Sequence, residues 1–133
     1  MKIKTDTKIK KECTHCFTPT HLKFNFSFIT YMDNFEEIHK AHLIDRILEL
    51  SKEPYLVVSN WPKNIGFEYI RLDISKDINP DFYKSSHRVF DGKYHVIRLY
   101  TNNNPLPSRI IGKIIRNVFY IFFIDINGDL YNH

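Results

Sequence analysis

The sequence predicts a single α+β domain: one long helix, or two, packed on a four- to six-stranded, mainly antiparallel sheet. Three observations lead there. Residues 22–28 alternate apolar and polar side chains, the two-residue period of a half-buried strand. Residues 34–52 repeat apolar side chains every three or four positions, the helical period. From Gly66 onward the chain is a succession of β-rich runs separated by polar turns. At 133 residues it has one domain's length, and 43% hydrophobic content with only four Gly supplies a core and excludes a disordered chain.

The elements follow in order. Lys2, Lys4, Lys8, Lys10 and Lys11 leave little to pack, so residues 1–21 are expected to be a basic arm and residues 22–133 the domain. In the first strand Phe24, Phe26 and Phe28 share one face, and Lys23, Asn25 and Ser27 the other. Asn34 is placed to cap the helix, with Glu37 as its capping-box partner, and Pro54 ends it after Lys52. Phe35, Ile38, Ala41, Ile44 and Leu48, with Leu43 and Ile47 beside them, form its expected packing face. Residues 55–61 fit either a strand or a second helical turn leading to Trp61. Residues 67–72 and 94–100 read as paired strands, 102–107 as a loop, 109–115 as a strand, and Arg116-Asn117 as a turn. Residues 118–126 are apolar on both faces and belong in the middle of the sheet. Asn127-Gly128 suits a tight hairpin turn before a short strand or tail.

Nineteen Lys and Arg against fifteen Asp and Glu give a net charge of +4 and a pI near 9.0, which favours a polyanionic partner. No apolar run is long enough to span a bilayer and the start lacks a signal-peptide core, so no membrane partner and a cytoplasmic location are expected. Walker, nucleophile-elbow and dinucleotide fingerprints are absent, which excludes those enzyme classes. Asp125, Asn127 and Asp129 fit a hairpin turn better than a calcium loop, because Gly128 is misplaced and no twelfth-position Glu follows. Cys13-x-x-Cys16 with His21 is half of a zinc site; the other reading is two reduced cysteines in the arm. His39 and His42 are expected on the solvated helix face beside Glu36, Lys40 and Asp45.

The richest chemistry lies in the β half: His87, Arg88, Lys93, His95, Arg98, Arg109, Lys113 and Arg116, then Tyr131 and His133. Strand alternation puts Arg109 and Lys113 on one face, where they can hold a phosphate chain, and turns His95 and Arg98 to opposite faces. Cleaving RNA without a metal needs a base for the 2′-OH proton, an acid for the leaving 5′-oxygen and cations for the phosphorane, and these residue types supply all three. The same cations also fit an ordinary solubilising face. A binding module without catalysis would instead use the basic face for nucleic acid or a protein, with bases stacked on exposed Tyr94, Tyr100 or Tyr120.

Tyr94-His95-Val96-Ile97-Arg98-Leu99, Ser108-Arg109-Ile110-Ile111, the apolar run 118–125 and the tail Asp129-Leu130-Tyr131-Asn132-His133 resemble, in this order, the C-terminal strands and tail of the RelE/YoeB/ParE superfamily of bacterial toxins. The resemblance spans residues 22–133 in order of elements. It implies a RelE-like fold that cuts mRNA, often on the ribosome, needs no cofactor and is held inactive by an antitoxin, protein or RNA. Arg98 and Arg109 would then stabilise the phosphate, and Tyr131 and His133 would be acid/base candidates. Lys113, Arg116, Arg88, His87 and Lys93 would bind the RNA. The Cys-containing arm and the long segment 73–92 depart from the family pattern.

Overall fold

The structure, a computed structural model, describes residues 20–31, 34–72 and 92–130. Its elements are β1 (Lys23–Asn25), β2 (Thr30–Tyr31), α1 (Glu37–Ser51), α2 (Tyr55–Val58), β3 (Phe67–Arg71), β4 (Lys93–Arg98), β5 (Arg109–Ile115) and β6 (Val118–Asp125). The strands form one mixed sheet in the order β1-β6-β5-β4-β3, with β2 also paired to β6. The fold is therefore α+β, with one main helix on a sheet that is antiparallel from β3 to β6.

β1 and β2 run parallel to β6 and break the expected single strand in two. The Asn25 side chain is the cause: its Oδ1 accepts the Ser27 N–H at 2.9 Å, a local turn that competes with the ladder. The chain folds back there, with Ile29 N–H donating to the Phe26 carbonyl, and resumes pairing two strand positions later than a regular strand would. The three phenylalanines consequently do not share a face. Phe24 packs with the helix-side core, Phe28 with the cluster on the other face, and Phe26 is exposed.

α1 also departs from expectation. Asn34 has a left-handed φ of 70° and gives its carbonyl to Glu36 N–H; Glu36 takes the N-cap position, with no side-chain cap bond. The buried side of the helix carries His39, Leu43, Arg46 and Leu50, at four-, three- and four-residue spacing. Phe35, Leu43 and Ile47 pack as expected, but Ile38, Ile44 and Leu48 are 68%, 54% and 56% exposed. The buried face is thus centred on His39, Leu43, Arg46 and Leu50 and not on the Ile38, Ile44 and Leu48 side, because the polar His39 and Arg46 find partners in the core. Residues 55–58 resolve as a helical turn, α2, anchored by Tyr55 N–H on the Thr20 carbonyl at 2.6 Å.

β5 and β6 match their predicted spans closely, and Arg116 and Asn117 take the positive φ values of 53° and 65° that a two-residue hairpin turn requires. The ladder slips between Ile111 and Gly112, so that Phe122 is bulged out and both Phe122 and Phe123 join the cluster on the far face. Gly112 is required there: a Cβ would lie 2.0 Å from the Tyr120 carbonyl oxygen. β6 is an interior strand, paired on both sides, as its two-sided apolar sequence predicts, although β5 holds the middle of the sheet. The expected Asn127-Gly128 hairpin does not form among the described residues. Gly128 has φ 70°, and the chain instead curls until Leu130 N–H reaches Asp125 Oδ2 at 2.9 Å. Among the described residues no helix is long and apolar enough to cross a membrane.

Candidate functional site

The polar side chains that matter gather at one end of the sheet, where β4 ends, β5 begins and β6 ends. Ile97, Leu99, Ile110, Ile124 and Ile126 face α1, so alternation turns Arg98, Arg109 and Asp125 to the opposite face. Register makes these three direct cross-strand neighbours: Arg98 pairs with Arg109, and Arg109 with Asp125. The result is a row of two guanidinium groups and one carboxylate on adjacent strands.

The row is not internally saturated. Arg109, 1% exposed, donates from Nη1 to Asn103 Oδ1 at 2.8 Å and to the Ser108 carbonyl at 3.2 Å, which ties the loop after β4 to the start of β5. Its Nε, the Nε of Arg98 and Oδ1 of Asp125 are buried without a hydrogen-bond partner. Buried polar atoms of this kind are uncommon, since each left unpaired costs about 1–3 kcal/mol. Two cations against one anion leave the row net positive, and Arg98, half-buried, is its member nearest solvent.

Behind the row, the helix-facing side is also polar at this end. His39 Nδ1 and the Tyr100 hydroxyl share a buried hydrogen bond at 2.7 Å, and the His42 ring stacks on Tyr100 with centroids 4.4 Å apart. Burial pushes the Tyr100 hydroxyl pKa up. The two histidines are therefore not a solvated face: His39 is 7% exposed and His42 half-buried. Arg46, 2% exposed, was missed by sequence reading. It donates from Nε to the Arg98 carbonyl and from Nη2 to the Ile65 carbonyl, both at 2.9 Å, and pairs with Glu49. An arginine between Asp45 and Ile47 on a helix resembles any surface arginine in sequence, so no local signal marks it.

The remaining predicted residues do not join this row. Lys113 lies four positions along β5 from Arg109, about 13 Å away, and sits over the Tyr94 ring at 6.0 Å. A single phosphate cannot touch both; only an extended chain can. Arg116 in the β5–β6 turn and Lys93 at the start of β4 are exposed at the opposite end of the sheet, because β4 and β5 are antiparallel. His95 faces away from Arg98, as alternation predicts, and its Nδ1 accepts the Ile114 N–H at 3.2 Å just beyond the last β4–β5 pair. Burial, aided by the charge of Lys113, lowers its pKa to about 4, and protonation would also forfeit that accepted bond. His21 is exposed, sharing a hydrogen bond with Thr20 Oγ1 at 2.9 Å. Among the described residues no group of three His, Cys, Asp or Glu is placed to hold a metal. Cys13, Cys16, His87, Arg88, Tyr131 and His133 lie outside the described residues.

The tyrosines named as stacking candidates are not at the surface: Tyr94 is 1% and Tyr100 6% exposed, and Tyr120 is half-buried against Phe28. Among the tyrosines whose burial is described, Tyr69 on β3 is the exposed one. Comparison with protein-family models, curated proteins and solved structures finds no match to this chain.

Proposed function

We propose that the domain acts on RNA in the cytoplasm as a toxin-like, metal-independent endoribonuclease, with the Arg98–Arg109 row as its phosphate site. The observation that supports this reading is the cross-strand pairing of the two arginines with a buried, unpartnered Nε on each. A phosphate oxygen is the acceptor such donors lack, and guanidinium groups meet phosphate with strong charge-assisted bonds. Arg98 meets the phosphate. Arg109 stands behind it, held by Asn103 and facing Asp125, and keeps the row positive.

In this reading the 2′-oxygen attacks phosphorus in line while a base removes its proton. Arg98 stabilises the charge of the phosphorane, and an acid protonates the departing 5′-oxygen, leaving a 2′,3′-cyclic phosphate and a 5′-hydroxyl. Tyr131 and His133 are the acid/base candidates that the resemblance names. The same resemblance makes an antitoxin, protein or RNA, the restraining partner and the ribosome the setting for cleavage; Cys13, Cys16 and His21, half of a zinc site by their spacing, stand outside it. Incubating purified protein with mRNA, with and without ribosomes, tests the proposal. Cuts ending in a 2′,3′-cyclic phosphate are expected, reduced roughly 100-fold or more in Arg98→Ala and abolished in a Tyr131→Phe/His133→Ala double variant. Intact RNA in every condition refutes it.

One observation favours a second reading. Arg109 is fully buried and its Nη1 donates to the protein's own loop, as a structural arginine's does. A non-enzymatic nucleic-acid- or protein-binding module would show this, and RNA that is bound but never cut is its signature.

A further inference from the structure

On the helix side of the sheet, three aromatic rings step outward from the core along β3 and β4. Phe67 lies edge-on to Phe119 in the core at 5.2 Å and edge-on to His95 at 6.2 Å. His95 in turn lies under the Tyr69 ring at 4.5 Å and 37°. Tyr69 and His95 are cross-strand partners, and the next pair on the same face is Arg71 with Lys93, about 7 Å further along. Tyr69 is 57% exposed, and Arg71 and Lys93 are exposed as well. An edge-strand tyrosine that leans on a neighbouring ring covers one of its faces and offers the other to solvent. The ring beneath it is fixed, because the Ile114 N–H holds His95 Nδ1.

We propose that the Tyr69–His95 pair is a stacking platform for one unpaired nucleobase of a single-stranded RNA, with Arg71 and Lys93 flanking the adjoining phosphates. The inference rests on the RNA reading above but uses different residues on the opposite face of the sheet. A flat, rigid, partly apolar ring beside cations is what sequence-tolerant single-strand binding requires, since every base has a π face and every nucleotide a phosphate. β3 is the outer strand, so RNA leaving the Arg98 row passes around this edge to reach the platform.

The test compares a fluorescein-labelled oligouridylate with an abasic oligonucleotide of the same length, both carrying 2′-deoxy sugars to prevent cleavage, by anisotropy with the full chain. Wild type is expected to bind the base-bearing strand more tightly. Tyr69→Ala should weaken that strand roughly 5- to 100-fold and leave the abasic strand unchanged. Tyr69→Phe, which keeps the ring, should bind as wild type. Equal affinity of wild type for the two strands, or a Tyr69→Ala variant that keeps the preference, overturns the platform. Arg98→Ala separates the two ideas: if it abolishes cleavage while Tyr69→Ala changes nothing, the platform fails and the ribonuclease reading stands. If wild type never cuts RNA but loses base preference on Tyr69→Ala, the platform stands and the ribonuclease reading fails.

Discussion

Replacing Arg46 with alanine should unfold much of what holds the helix to the sheet. The side chain is 2% exposed and joins three places: its Nε donates to the Arg98 carbonyl at the end of β4, its Nη2 to the Ile65 carbonyl in the turn before β3, and its Nη1 to Glu49. Truncation leaves two part-buried carbonyls without donors, at about 1–2 kcal/mol each, and opens a void in the helix–sheet interface that adds about 1 kcal/mol more. The sum, about 3–5 kcal/mol, is a large share of the roughly 5–15 kcal/mol that stabilise a domain of this size. The Glu49 carboxylate is half exposed and contributes little, so Glu49→Ala should cost under about 1 kcal/mol. Arg46→Lys keeps the charge, but one ammonium cannot reach two carbonyls on separate elements, and it should lose most of what alanine loses. Urea unfolding followed by circular dichroism measures these differences, with an unchanged slope confirming comparable denatured states. A loss under about 1 kcal/mol for Arg46→Ala, or a lysine variant as stable as wild type, would refute the reasoning.

Other expectations follow from the same geometry. The His95 pKa falls from its ordinary 6.5 to about 4 on folding, so between these values the unfolded chain binds a proton that the folded chain does not. Stability should therefore drop as pH falls from about 6.5 to 4. The ring is only half-buried, which limits its share to about 1 kcal/mol; His95→Gln should flatten that part of the urea-midpoint profile, and an unaltered profile would contradict the assignment. Tyr100→Phe removes the buried hydrogen bond to His39 and should cost about 1–2 kcal/mol. A double-mutant cycle with His39→Ala should recover a coupling of that size, whereas additive losses would show that the pair does not interact. On α1, Leu43→Ala should cost about 2–4 kcal/mol and Leu48→Ala under about 0.5; thermal melts with the order reversed would mean that the helix is turned the other way.

Much of the fold was legible because local rules and tertiary structure agree there. Residues 109–115 and 118–125 carry strand-forming side chains on either side of Arg116-Asn117, and no competing pattern runs through them. The first strand and the helix face depart from their sequence patterns for a shared reason: a side chain chose its partner beyond the local period. Asn25 turned its amide on the backbone of Ser27, and His39 and Arg46 were drawn inward by Tyr100 and two backbone carbonyls. A hydrophobic pattern ranks Ile38, Ile44 and Leu48 above His39 and Arg46, since it counts apolar surface and not hydrogen-bond partners.

The candidate site divides in the same way. Sequence alone determined the α+β class, the basic balance, and the alternation that separates His95 from Arg98, because each depends on composition or on the two-residue pleat. Only the tertiary structure decided that Arg98, Arg109 and Asp125 form one row, that Lys93 and Arg116 lie at the far end, and that the Tyr69 ring is exposed. Those facts are set by strand order and register, which arise from contacts between residues far apart in the chain.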